Sequence, residues 1–238
     1  MILLAEPIVS APEQCPYRRG TLSQLQTFMA DQVDGSELEG LLAAGWRKFG
    51  KQYFRPVCTG CRACIPVRVR TAELAPDKQQ KRTIRRNAHV RVEFTELAFR
   101  KEVFEVYADH ARHKFNREVG IDELLASCYD TSCSALQSEY YVENVLAAVG
   151  FIDRSSRGLS SVYFVYRKEF SRLGLGLFSV FAESAQALEF GLEYYYLGYW
   201  MPDNRSLEYK GRFLPQERFD WDSGSWLDAV AEEKLRQR

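Results

Sequence analysis

No stretch of this 238-residue sequence is apolar for the length that a membrane-spanning helix needs. That absence argues against a helical membrane protein. The opening residues Met1 to Val9 contain an apolar patch but no basic segment ahead of it, and Glu6 and Pro7 interrupt it. No secretory signal is therefore expected. An internal repeat and a low-complexity linker are both missing, so nothing points to a solenoid or a disordered tail. The expectation is a cytoplasmic globular protein, where thiols stay reduced. Its six cysteines then read as ligands or buried thiols rather than disulfides.

Net charge is also absent, since 32 Lys and Arg balance 32 Asp and Glu. The balance is not local. From Arg47 to Arg91 there are 13 basic residues opposed only by Glu73 and Asp77. That segment carries +11, and the rest of the chain must carry −11. A neutral total that hides a contiguous basic excess fits a polyanion on one face better than a solvated surface. The excess has a pattern. Pro76-Asp77 starts a helix with Asp77 as its cap. Lys78, Lys81, Arg82, Arg85 and Arg86 then fall at i, i+3, i+4, i+7 and i+8, on one helical face. Like charges so placed repel unless an anion screens them, and RNA phosphates would do so.

The remaining chain gives a coarse plan. Residues 1–20 read as irregular. Helical patterns follow at 21–30 and 36–44, the second capped by Ser36 with Glu39 and ended by Gly45. Lys51 to Val57 is strand-like. Ile65 to Arg70 alternates, and predicts a half-buried strand whose outer face carries Arg68 and Arg70. A strand over His89–Thr95 and a long helix over Glu96–Lys114 come next, then a helical piece at Asp122–Ser127. From Tyr140 the order is hairpin, helix (Gly174 to Gly191) and aromatic strand (Tyr194 to Tyr199). That order occurs in the second half of acetyltransferase-like (GNAT) folds, by analogy only. The fold class is α+β: a cysteine-containing α/β region at 1–125 and a GNAT-like acyltransferase domain at 126–238.

Three constellations carry chemistry. Cys58, Cys61 and Cys64 are spaced by two residues, and Cys15 can close a four-thiolate set. Such a set suits zinc or an iron–sulfur cluster, and the alternative is ordinary buried cysteine. Arg172-x-Gly174-x-Gly176 precedes a helix, where free N–H groups can hold phosphate, as the turn of a GNAT enzyme holds acetyl-CoA. The aromatic block ending in Tyr199 and Trp200 is largely core, with part free to stack on a terminal base. His110 and His113 lie one turn apart, without an evident carboxylate ligand beside them.

The run from Tyr53-Phe54-Arg55-Pro56 through Cys58, Cys61-Arg62-Ala63-Cys64 to Arg68 resembles the N-terminal half of bacterial aminoacyl-tRNA–protein transferases. So does Lys81-Arg82-x-x-Arg85-Arg86-Asn87. Tyr196-Leu197-Gly198-Tyr199-Trp200 and Tyr209-Lys210-x-x-Phe213-x-Pro215 are similar to their C-terminal half, and Arg112-His113 falls where they carry an Arg-His pair. The matches run in order over residues 15 to 217. The resemblance implies an enzyme that moves Leu, or Arg, from its tRNA to an N-terminal Asp or Glu and marks the target for degradation. Length and cysteine pattern favour leucine. An iron–sulfur or zinc site at Cys15, Cys58, Cys61 and Cys64 is implied for some members. Two departures stand out: Pro16-Tyr17-Arg18-Arg19 replaces the usual Pro-Tyr-Leu-Pro, and Gly120-Ile121-Asp122 keeps only part of a Gly-Gly-Met pattern.

Aminolysis of an activated ester needs positioning and oxyanion stabilisation more than a covalent nucleophile, and no cofactor. Tyr209 and Lys210 are the catalytic candidates. Arg62, Arg68 or Arg112 can pair with the acceptor's acidic side chain, with His113, Tyr199 and Trp200 as further substrate contacts. The basic helix holds tRNA. The competing readings are arginyl transfer, a GNAT-type N-acetyltransferase using acetyl-CoA, and an RNA-binding protein without turnover.

Overall fold

In the computed structural model, which describes residues 1–229, the chain begins in extended backbone. β1 (Ile2–Val9), the short pair β2 (Glu13–Gln14) and β3 (Leu22–Ser23), and β4 (Leu25–Gln32) precede any helix. This corrects the irregular reading of 1–20 and the helical reading of 21–30. In β4, Phe28 and Ala30 enter the core while Leu25 and Met29 stay outside, a period of two. β1 forms the sheet edge, where Pro7 removes no needed ladder bond.

α1 (Gly35–Ala43) starts on a different cap from the expected one. Asp34 accepts from the N–H groups of Ser36 and Glu37, and Glu37 answers the N–H of Asp34. Glu39 is buried instead, accepting from Ser155 Oγ at 2.6 Å and Tyr196 OH at 2.7 Å. Gly45 does end the helix, at φ +79. β5 (Arg47–Phe49) and β6 (Gln52–Pro56) complete a four-stranded sheet in the order β1-β4-β6-β5.

The chain continues through β7 (Ile65–Arg70), α2 (Lys78–Arg86), β8 (Arg91–Glu96) and α3 (Lys101–Phe115). α4 (Ile121–Leu124) runs into a wide turn at Leu125–Tyr129. The hairpin β9 (Ala135–Val142) and β10 (Val145–Arg154) leads to β11 (Gly158–Tyr166), α5 (Leu175–Glu189) and β12 (Tyr194–Trp200). A 3-10 turn, Glu208–Arg212, precedes the hairpin β13 (Gln216–Asp220) and β14 (Ser225–Asp228). The helix read over 96–114 begins only at Lys101, because Arg91–Glu96 extends the sheet edge.

Strands β7 to β14 form one sheet in the order β14-β13-β7-β12-β11-β10-β9-β8. The fold class is α+β, and the expected hairpin, helix and aromatic strand are present in the second half as β9–β10, α5 and β12. The division at 125/126 cuts this sheet between β8 and β9, and β7 from the first part lies between β12 and β13.

Alternation along β12 sets the layers. Tyr195 and Leu197 face Val180 and Ala187 of α5 and Phe213, while Tyr194 and Tyr196 face Leu38 and Leu42 of α1 and Tyr53 of the small sheet. α3 packs Val103 and Val106 on Leu146, Val149 and Phe151. Burying one such large apolar side chain contributes about 1.5–3 kcal/mol.

One departure from regular pairing positions the site. β11 and β12 run parallel, but they pair only from Gly158↔Tyr194 to Ser160↔Tyr196. β11 continues to Tyr166 and β12 to Trp200. Beyond Ser160 and Tyr196 the two strands part and leave a wedge. A register shift between Tyr196 and Gly198 bends β12 away at the same place.

Candidate functional site

Two cations from opposite ends of the chain meet at this wedge. Gly198 lies on β12 at φ +88, a conformation that favours glycine. A Cβ built there would stand 3.2 Å from Lys210 Nζ and 3.6 and 3.7 Å from Nη2 and Nε of Arg47. Arg47 is buried at the start of β5. Its Nη2 donates to Ser161 O, the first β11 carbonyl past the last paired residue. Its Nη1 is buried with no acceptor. Burial lowers the Arg47 pKa, against the nearby Tyr199 and Asp153. Lys210 sits on the Glu208–Arg212 turn. Desolvation, with the Arg47 charge adding to it, pulls its ammonium down to about 7. Among the described residues, no carboxylate is within ion-pair distance of either cation.

Behind them lies a buried acid. Glu183 of α5 is 1% exposed and accepts from Ser138 Oγ at 2.8 Å, Tyr140 OH at 3.2 Å and Tyr195 OH. Burial pushes its carboxyl up to about 7, against those three donors. Gly150 makes the room, since a side chain there would collide with Ser138 Oγ and Glu183 Oε1. Tyr209 is raised to about 12 by burial and by the Glu183 charge, so its phenol stays protonated. Lys210 thus borders the wedge, and its neighbour Tyr209 on the same turn packs against Phe213, ring centroids 6.2 Å apart.

Tyr199 and Trp200 are half-buried. Tyr199 OH donates to Gly45 O at 3.0 Å and Phe54 O at 3.4 Å, tying β12 to the small sheet. Trp200 Nε1 donates to Glu208 O at 3.2 Å, and Arg218 lies 4.1 Å over its ring. Tyr194, Tyr195 and Tyr196 are core.

The arginines expected to hold an acidic acceptor are each engaged by the protein's own carboxylates. Arg68 is not on an outer face. It is 8% exposed, bonds Glu217 at 2.6 Å and Tyr196 OH at 3.0 Å, and lies 3.7 Å from the Tyr194 ring and 4.3 Å from that of Trp226. The hairpin β13–β14 covers the face that alternation left open. Arg62 lies 3.5 Å from Asp222, and Arg112 pairs with Glu118 at 3.3 Å. His113 contacts Asp109 O at 2.7 Å within α3, and its Nε2 is buried without a partner. His110 is buried, with its pKa lowered to about 4 by desolvation and by His113.

Cys15, Cys58, Cys61 and Cys64 gather around one loop. All are free thiols. Burial, then the other three thiols, push Cys64 up to about 12. Cys58 Sγ accepts from Gln24 N at 3.3 Å. The donor chemistry fits zinc or an iron–sulfur cluster, although among the described residues no three His, Cys, Asp or Glu side chains are close enough to hold an ion. The loop adjoins the wedge: Tyr17 feels Cys64 and Cys15, and Tyr199 feels both Cys64 and Tyr17. Arg18, where the resembled family has leucine, lies 3.4 Å from Asp203.

The basic stripe forms as the spacing requires. Asp77 and Gln80 make a capping box at the start of α2. Lys78, Lys81, Arg82, Arg85 and Arg86 are all exposed, and none is in an ion pair among the described residues; Arg86 donates to Arg172 O at 3.0 Å. Gly174 starts α5 at φ +70 beside α2, facing Thr83.

Sequence reasoning counted Arg47 only as one of the 13 basic residues. No local spacing marked it, because its partners Ser161, Gly198 and Lys210 are distant in sequence.

Among the described residues no helix is long and apolar enough to cross a membrane. Residues 13–82 match the family described as arginine-tRNA-protein transferase, N terminus, and residues 100–220 match its C terminus. An aspartate/glutamate leucyltransferase of Chromobacterium violaceum is 31% identical over 234 residues, 91% of each chain. One of Gluconacetobacter diazotrophicus is 32% identical over 217 residues, 87% of this chain and 82% of its own. A solved structure of FemX is a distant likeness, with a TM-score of 0.46 at 7% identity over 83% of this chain and 79% of its own. Two matches in chain order that between them take in most of the sequence, and relatives 31–32% identical over more than four-fifths of each chain, lead to one conclusion: the chain belongs to the arginine-tRNA-protein transferase family and is an aminoacyltransferase.

Proposed function

We propose that the chain transfers leucine from leucyl-tRNA to the N-terminal Asp or Glu of target proteins in the cytosol, creating a degradation signal. The observation that carries this reading is Lys210, a lysine at the wedge with its pKa near 7 and no carboxylate partner among the described residues. The choice of leucine rests on the names of the relatives.

The neutral α-amine of the acceptor, whose pKa is about 7.7–8.0 in water, attacks the ester carbonyl carbon. As the C–N bond forms, the attacking nitrogen becomes acidic and passes a proton to neutral Lys210 Nζ. The tetrahedral intermediate then breaks its C–O bond to the ribose. Lys210 returns the proton to that leaving oxygen. Tyr209, held protonated by burial, donates a hydrogen bond to the oxyanion. The wedge between β11 and β12 admits the aminoacyl end, and the exposed cations of α2 bind the tRNA backbone. Tyr199 and Trp200, together with Arg112 and His113 on α3, are second-rank contacts in this scheme. A metal or cluster held by Cys15, Cys58, Cys61 and Cys64 would clamp the loop carrying Tyr17 beside Tyr199, and no step of the aminolysis passes through it.

The test is transfer of radiolabelled Leu or Arg from its charged tRNA to peptides beginning with Asp, Glu or Ala. Leu on the Asp and Glu peptides alone is the expected result. Labelling with Arg would change the donor, and no labelling with either tRNA would overturn the reading.

A further inference from the structure

We propose that Arg47 is the acceptor-recognition residue: its guanidinium binds the side-chain carboxylate of the N-terminal Asp or Glu, in the gap over Gly198. This rests on the transfer reaction proposed above.

Three observations carry it. One arm of Arg47 is satisfied by Ser161 O, while Nη1 is buried with no acceptor among the described residues. A buried donor left unpaired is destabilising, and a carboxylate bridging Nη1 and Nη2 at the tip of the guanidinium supplies the missing acceptor in the planar, two-point form that guanidinium favours. The carboxylate whose charge reaches Arg47, Asp153, is already ion-paired with Lys48 at 3.0 Å. Finally, Nη2 and Nε of Arg47 and Nζ of Lys210 meet over Gly198, within 3.7 Å of the point where a side chain there would begin. The Arg47 charge disfavours a charge on Lys210, and an anion seated on the guanidinium, on the side away from Lys210, offsets the buried Arg47 charge.

The occupant follows from size and depth. Arg47 is only 9% exposed, so a tRNA backbone cannot follow it inward, whereas one short side chain can. Asp and Glu carry their carboxylate on a short arm from the α-amine. Docking that carboxylate on Arg47 therefore brings the amine beside Lys210, where the proton transfer occurs. A neutral Asn or Gln of the same shape lacks the charge and gives the fork only one acceptor oxygen.

The experiment measures kcat/KM for peptides beginning with Asp, Glu, Asn and Gln at saturating leucyl-tRNA, in the full-length chain and in Arg47→Gln and Arg47→Lys. The readout is the Asp/Asn ratio, which does not depend on how much enzyme is folded. Wild type should favour Asp by on the order of 10²-fold or more. The ratio should collapse towards unity in Arg47→Gln, with the KM for leucyl-tRNA unchanged. Arg47→Lys preserves the buried charge and so protects the fold; it should retain part of the ratio. An unchanged ratio in both variants overturns the assignment, as does a loss that appears only in the KM for leucyl-tRNA. Wild type that labels no acidic peptide overturns the reaction itself, a result distinct from either.

Discussion

The stripe on α2 and the pair at the wedge contain the same kinds of side chain in opposite surroundings. On α2 five cations stand in water, where their mutual repulsion is screened. At the wedge two cations are desolvated, and one of them is drawn down to about 7. Exposed charges bind a polyanion through many weak, salt-sensitive contacts. Desolvated charges can act differently: in the proposed reading one exchanges a proton at neutral pH, and the other discriminates a single carboxylate. In the proposed reading the chain thus separates holding the tRNA from acting on its ester.

That separation can be broken. The largest effect is expected from Lys210→Met, which should lower kcat on the order of 10²–10⁴-fold while leucyl-tRNA binding persists. Lys210→Arg, which keeps a cation but cannot release its proton, should not restore it. The sign of the pH dependence follows from the lowered pKa: the neutral amine prevails above about 7, so wild-type kcat/KM should rise through that range. A rate that is flat across pH 6 to 8 would remove Lys210 from the proton path.

Replacing Lys81, Arg82 and Arg85 together by Gln should act on the other side of the comparison. Leucyl-tRNA affinity should fall about tenfold or more, and the slope of log affinity against log salt should flatten by about 2–3. Filter binding over a salt series measures this, with the acceptor KM as control. A parallel rise in acceptor KM would mean that the two sites are not separate.

Smaller effects should come from the supports. Cys58→Ser with Cys61→Ser should lower Tm by several degrees and abolish any metal found by elemental analysis of the purified protein. Wild type free of metal would leave these thiols as packing groups. Glu183→Gln tests the acid behind Tyr209. Its folded pKa, about 7, lies above the ordinary 4.5, so the native state holds the proton more tightly. Stability from this group is full below 4.5 and is lost as pH rises through 7. Wild-type Tm should therefore drop by a few degrees between pH 5 and 8, and Glu183→Gln should flatten that fall.

What the sequence revealed divides along the same line. The α2 cap and stripe were legible because helical spacing is local. The cysteine loop and the hairpin–helix–strand order from Tyr140 were legible for the same reason. β4 was misread because Leu25 to Gln32 mixes helix and strand formers, and the decision falls to its partners β1 and β6. Alternation found the two faces of β7 but not what covers them, so Arg68 was placed in solvent when Glu217 and Trp226 enclose it. Arg47 was hidden because its surroundings arrive from residues 161, 198 and 210. Tyr209 and Lys210 came from motif resemblance, and their surroundings only from the fold.

The insertion of β7 between β12 and β13 also bears on how the chain is made. A ribosome adding about 5–20 residues per second delivers Ile65–Arg70 on the order of ten seconds before Tyr194–Trp200 and Gln216–Asp220 emerge to flank it. For that interval Val67 and Val69 form an apolar strand with both edges bare. Arg68 and Arg70 alternate with them, and charges so placed hinder a lone strand from pairing with a neighbouring chain. The same two arginines that later close on Glu217 thus guard the nascent strand until Glu217 exists.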